Sequence, residues 1–159
     1  MLQRVQTIYF IIVMAILSSL LSGIEIFAMS DGQMNFSQSV LGVESSVKGG
    51  HIEWIGQFEY AYLFVIAYVM LVFLAMMSYK SLNRQYTLSK IVLFIYVLFV
   101  LAILAVTSFG INGYSPKEIT GIHVGIGFYL LNCGLPFSYF ALKGVQKDKG
   151  LLDSLNRLR

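Results

Sequence analysis

FEYAYLFVIAYVMLVFLAMMSY, residues 58–79, carries one charge in 22 residues, Glu59 near its start. A helix rises about 1.5 Å per residue, so this stretch reaches about 32 Å, enough to cross a hydrocarbon core of about 30 Å. Working outward, residues 8–29, 91–111 and 122–142 are three more runs of similar length and apolarity. The reading that follows is an all-α membrane protein, a single domain over 1–159, with four transmembrane helices in an antiparallel bundle. An outer loop at 30–57 and a tail at 143–159 complete it.

Composition agrees with that solvent. Hydrophobic residues make up 57% of the 159 and charged residues only 12%, about half the charged share of a soluble domain. The formal net charge of +3 is explained by placement. Arg4, Lys80, Arg84, Lys90, Lys143, Lys147, Lys149, Arg157 and Arg159 fall on one side of the four runs, and only Lys48 and Lys117 on the other. Such asymmetry marks the cytoplasmic side, placing both termini and the 80–90 connection in the cytoplasm of a bacterial inner membrane. Asp31, Glu44, Glu53, Glu59 and Glu118 lie outside. Tyr and Trp favour headgroup depth, and Trp54, Tyr60 and Tyr114 mark the outer boundary while Tyr9, Tyr79, Tyr86 and Tyr139 mark the inner one. The basic residues therefore serve topology, and nucleic acid is not an expected partner. A cleaved signal peptide is the rival reading of residues 1–29, with Ser22 and Gly23 near its end. Its apolar region of about 7–15 residues is shorter than the uncharged run 8–23, which favours a retained helix.

In the 30–57 loop, Gly32, Gly42, Gly49 and Gly50 separate two short stretches, 33–43 and 51–55, and the period of two in Met34, Phe36 and Val40 fits a small β-hairpin. In the fourth run, Gly121, Gly125 and Gly127 leave room for another backbone to approach. Deeper, Gly134 and Pro136 interrupt the helical ladder, and Pro136 deprives the Asn132 carbonyl of its usual donor. Asn132, Gly134 and Pro136 thus form a candidate kink or pocket, beside Cys133. Beyond the run, Val145, Leu151, Leu152, Leu155 and Leu158 approximate helical spacing opposite Lys147, Lys149, Asp153 and Arg157. That pattern predicts an amphipathic cytoplasmic helix lying on the membrane or a partner.

Glu25 is the one carboxylate inside an apolar run, about 25 Å along its helix and so near the outer headgroups. His123 falls at a similar level, so Glu25 and His123 form a candidate polar pair. A first-span glutamate suits a proton-coupled exchanger, although interfacial depth and the long outer loop argue against one. Catalytic inventories fail on count. Cys133 alone excludes an internal disulfide relay, and two histidines with no neighbouring cysteine or carboxylate cluster give no zinc or haem ligand set. No Walker-type loop or GxSxG elbow is present. No cofactor and no metal is expected.

The two ends carry a resemblance. Met1-Leu2-Gln3-Arg4-Val5-Gln6-Thr7-Ile8-Tyr9 and the closing ALKGVQKDKGLLDSLNRLR, with Lys143, Lys147, Asp148, Leu151, Ser154, Arg157, Leu158 and Arg159, resemble the small Bacteroidota membrane proteins grouped as domain of unknown function 4293. Lys149 and Asn156 depart from the acidic residue and the Asp expected there. The resemblance implies a Gram-negative inner-membrane protein and brings no activity, substrate or catalytic residue. Arg4, Lys147, Asp148, Arg157 and Arg159 form a candidate cytoplasmic interaction surface, if the first and fourth helices are neighbours. The expected function is a non-enzymatic subunit or accessory factor of a membrane assembly, its partners the bilayer and other membrane proteins or itself. A proton-coupled or small-molecule carrier using Glu25, His123 and Pro136, and a membrane enzyme on a lipophilic substrate, are the alternatives.

Overall fold

In the computed structural model, which describes residues 3–30, 34–47, 52–56, 61–114 and 121–157, the first helix ends well before its apolar run does. Helix α1 spans Gln3–Leu20. Its last turn tightens, with the Leu21, Ser22 and Gly23 amides donating to carbonyls three residues back, and Gly23 adopts φ 81°. A left-handed residue at a helix C-terminus is tolerated best as glycine. The chain then turns and enters strand β1, Phe27–Ser30, so the expectation of a single helix over 8–29 is corrected at its outer third.

Four more strands complete an antiparallel sheet: β2 Met34–Gln38, β3 Val43–Val47, β4 Ile52–Gly56 and β5 Gly121–Val124, in spatial order β4-β3-β2-β1-β5. Local hairpins join β1 to β4, and the Ser39 amide donates to the Gly42 carbonyl at 2.9 Å to close the β2–β3 turn. The hairpin anticipated within 30–57 is therefore part of a larger sheet. Its first and last members come from stretches expected to be helical. Phe27 pairs with Gln38 on one side and Val124 on the other, and Ala28 with Ser37 and His123. Phe36, Gln38 and Val40 are buried while Asn35 is exposed, as alternation on a half-covered strand requires.

Helix α2, Ala61–Met77, reaches the 3-10 turn Ser78–Lys80 and hands over at Ser81 to helix α3, Leu82–Tyr114. After β5, helix α4 runs unbroken over Ile126–Arg157. Two segments, Ala61–Lys80 and Leu82–Thr107, are long and apolar enough to cross a membrane. The other two expected spans differ for separate reasons. The apolar part of α1 is Val5–Leu20, about 24 Å of helix. In the fourth run, β5 takes the opening residues, and Asn132 and Ser138 dilute the short helical remainder before Lys143. The tail is a correction too, because it continues α4 rather than forming its own surface helix.

α1 packs on α4 and α2, and α3 packs on α2 and α4, closing the four helices around one core. The buried positions repeat in steps of three and four. Along that repeat lie Gln6, Phe10, Val13, Leu17 and Leu20 on α1; Val65, Tyr68, Val72 and Ala75 on α2; Gln85, Ser89, Val92, Tyr96 and Phe99 on α3, where Val100 and Thr107 are buried as well; and Leu131, Gly134, Ser138, Ala141, Val145 and Asp148 on α4. This is the seam of left-handed helix packing, in which each buried residue enters a hole on its neighbour. Tyrosines stitch the seams. The Tyr68 hydroxyl donates to the Val92 carbonyl at 2.7 Å, and the Tyr96 hydroxyl donates to the Leu131 carbonyl at 2.8 Å. The sheet lies across one end of the helices. At the other end sit the first turn of α1, the α2–α3 connection and the last turns of α4.

Candidate functional site

At the end opposite the sheet, Gln6 of α1 and Asp148 of α4 meet inside the seam. The Gln6 Nε2 donates to Asp148 Oδ2 at 2.5 Å, with both residues buried. Gly144, one turn earlier on α4, makes room for this contact, since a Cβ there would stand 2.7 Å from Gln6 Cγ. A charge-assisted bond of this kind is stronger than a neutral one, and stronger again away from water. Asp148 therefore faces inward toward α1. Lys147 beside it is exposed. Arg4 stands in the first turn of α1 and Arg157 closes α4, whereas Arg159 lies outside the described residues. On the flank, the Lys90 and Lys149 ammonium groups approach the Tyr86 ring, at 4.3 and 5.0 Å from its centroid. Gln85 Oε1, buried on the same face of α3 as Ser89, has no partner among the described residues.

Glu25 and His123 lie by the sheet, both exposed, and no hydrogen bond joins them. What meets there is backbone. The Gly127 amide donates to the Glu25 carbonyl at 2.8 Å and the Gly125 amide to the Ile26 carbonyl at 2.9 Å. A Cβ on Gly125 would stand 2.2 Å from the Glu25 oxygen, and one on Gly127 2.8 Å from it. The glycines of the fourth run thus admit the connection between α1 and β1. His123 sits on β5 opposite Ala28.

Pro136 lies within α4, about 15 Å along it from Ile126, well below Glu25 and His123. Asn132 Nδ2 donates to the Phe128 carbonyl at 2.8 Å, and Ser138 Oγ donates to the Gly134 carbonyl at 3.0 Å. The space beside Gly134 is filled by Tyr96, whose hydroxyl stands where a Cβ would be. Glu25 and His123 share the sheet end, Gly134 lies against Tyr96 at the α3–α4 interface while Pro136 is exposed and Asn132 half-buried, and Asp148 belongs to the far end.

An apolar opening lies elsewhere. A cavity of about 450 Å³ sits between the start of α2 and the second half of α3, roofed by the β2–β3 turn. Ala61, Phe64, Ile95, Phe99, Ala102 and Ile103 supply its walls, with Gln38 and Ser39 in the roof. Thr107, at the roof, hydrogen-bonds Gln38 Oε1 at 2.9 Å and also back-bonds to the Ile103 carbonyl at 2.8 Å. This cavity is not legible in the sequence as a site, and Gln6 is legible only as a residue of the cytoplasmic end that can meet the tail if the first and fourth helices are neighbours. The usable signal for Gln6 was its step of four before Phe10, on the stripe that continues to Val13, Leu17 and Leu20. The cavity carries no motif, because it arises where a turn of the sheet overhangs two helices.

Among the described residues, no group of three or more His, Cys, Asp or Glu is placed to hold a metal ion. No curated protein matches the sequence. The family model for the domain of unknown function DUF4293 matches residues 2–158, essentially the whole chain, and the protein belongs to that family.

Proposed function

We propose that this chain is an integral protein of a bacterial inner membrane, spanning it through α2 and α3 with α1 and α4 packed beside them and both termini cytoplasmic, and that it serves as a non-enzymatic subunit or accessory factor of a membrane assembly. The carrying observation is the outer face of α2 and α3. Leu63, Ile66, Met70, Leu74, Phe94, Leu98 and Leu101 are all exposed there, a patch far larger than soluble monomers leave open to water. Such a face suits lipid or another membrane helix. α1 and α4 accompany the two long apolar helices because their seams are shared with them. The sheet then caps the outer side, and the basic ends of α3 and α4 lie inward.

The buried polar groups support a structural use of the fold. Gln6 with Asp148 ties α1 to α4, Tyr68 ties α2 to α3, and Tyr96 ties α3 to α4. Each holds one helix to another. The contact surface offered to partners is the far end of α4, where Leu151 and Leu152 are exposed beside Lys147 and Lys149.

Affinity capture of the full chain from mild detergent, resolved by native electrophoresis and mass spectrometry, tests the assignment. A stoichiometric partner protein is expected, lost when residues 149–159 are removed. Recovery of the chain alone, with an unchanged complex size after that truncation, would overturn the subunit reading.

A further inference from the structure

We infer that the 450 Å³ cavity between α2 and α3 is a binding site for a single hydrocarbon chain of a membrane lipid, entered sideways from the bilayer. The inference goes beyond the subunit assignment and uses only its membrane placement. Three observations carry it. The first is the wall: Ala61, Phe64, Ile95, Phe99, Ala102 and Ile103 are aliphatic or aromatic, and among the described residues no charged side chain lines the space. The second is the roof, where the polar atoms are turned to one another. Gln38 is engaged by Thr107, and Ser39 Oγ accepts from the Leu41 amide and bonds the Gly42 carbonyl. Among the described residues the lining is almost wholly apolar, which offers a headgroup little to bind, whereas a hydrocarbon chain needs no polar partner. The third is the mouth, where Phe64 and Leu98 are themselves exposed within the apolar face that α2 and α3 turn outward.

Physical chemistry then decides among occupants. Water requires two to four polar partners, so apolar cavities stay dry and take apolar ligands instead. Left empty, a void of this size forfeits the dispersion contacts of its whole lining. The volume lies toward the low end of small-ligand pockets, about 300–1,000 Å³, which admits one chain and leaves the head and any second chain outside. The head then sits near the sheet, at the level where α2 begins.

A photoreactive palmityl alcohol, present at trace level in phosphatidylethanolamine vesicles holding the full-length protein, tests this. Adducts should concentrate on Ala61, Phe64, Ile95 and Ala102 over the equally lipid-facing Met70, Leu74, Phe94 and Leu101. Filling the cavity with Ala102→Phe should cut the cavity adducts about tenfold, a loss of about 1.4 kcal/mol in occupancy, with those at Met70 unchanged. Ala102→Leu, a smaller intrusion, should give an intermediate loss. Even labelling of all exposed apolar positions in the wild-type protein would overturn the site without any variant. Delivery of the probe from detergent micelles keeps this answer separate from the membrane placement, which fails only if the protein does not partition into vesicles.

Discussion

A single hydrogen bond at the residue scale, Gln6 to Asp148, joins the first and last helices across 142 positions of sequence. Removing one partner of a buried charge-assisted pair leaves the other unsatisfied, which costs about 1–3 kcal/mol, more for a charged group. Asp148→Leu alone and Gln6→Leu alone should therefore each lower stability by that amount. The double replacement should cost clearly less than the sum of the two, as matched apolar groups refill the seam. Thermal unfolding in detergent, followed by circular dichroism, measures all four corners of the cycle. An additive result would show that the pair is not coupled. Asp148 read as a surface residue from the lysines around it, since Lys147 and Lys149 are its neighbours. Its inward direction follows instead from Ala141 and Val145, seven and three positions earlier on the same stripe.

At the scale of elements, the decisive junction is where the turn after α1 meets the start of α4. Gly125 lies against the Glu25 and Ile26 backbone, and two main-chain hydrogen bonds cross there. Gly125→Ala puts a methyl into a carbonyl that has no flexible end to move aside, so a loss of about 1–3 kcal/mol is expected. Gly150→Ala is the internal control. Nothing lies within 4 Å of a Cβ at Gly150, and alanine is favoured over glycine inside a helix by about 1 kcal/mol, so that variant should melt at or above the wild-type temperature. Equal melting of the two variants would remove the close-packing argument. Helices α2 and α3 were legible because their apolar runs are long and uninterrupted, and periodicity alone locates them. The sheet was legible only in part. Met34, Phe36 and Val40 showed a strand period, but Phe27–Ser30 and Gly121–Val124 are apolar enough to extend the neighbouring helical runs. Local composition cannot separate a short buried strand from a helix end. Gly23 held the missing information, since a glycine after Ser18, Ser19 and Ser22 is as good a helix stop as a cleavage site.

For the whole molecule, the apolar outer face of α2 and α3 and the polar engagement of both ends make one quantitative expectation. Membranes washed in alkaline carbonate should retain nearly all of the chain in the pellet, and release into the supernatant would contradict the bilayer placement. The same face limits what sequence reasoning could see of a site. A binding surface written in charged or metal-ligating residues announces itself, whereas a dry cavity assembled from Ala61, Phe64, Ile95 and Ala102 uses the residues that any spanning helix uses. Glu25 and His123 drew notice for their chemistry. Their surroundings give them exposure and backbone duties in a turn and a strand.

The position of β1 inside the sheet has a consequence for biosynthesis. One of its edges is matched by β2 almost as soon as that segment leaves the ribosome, but the other waits for β5, which is translated only after α3. A nascent polypeptide stalled before residue 121 carries four unmatched ladder positions, Phe27 to Ser30, and an open strand edge invites pairing with any other chain. Translation must pass Val124 before that adhesive edge is sealed.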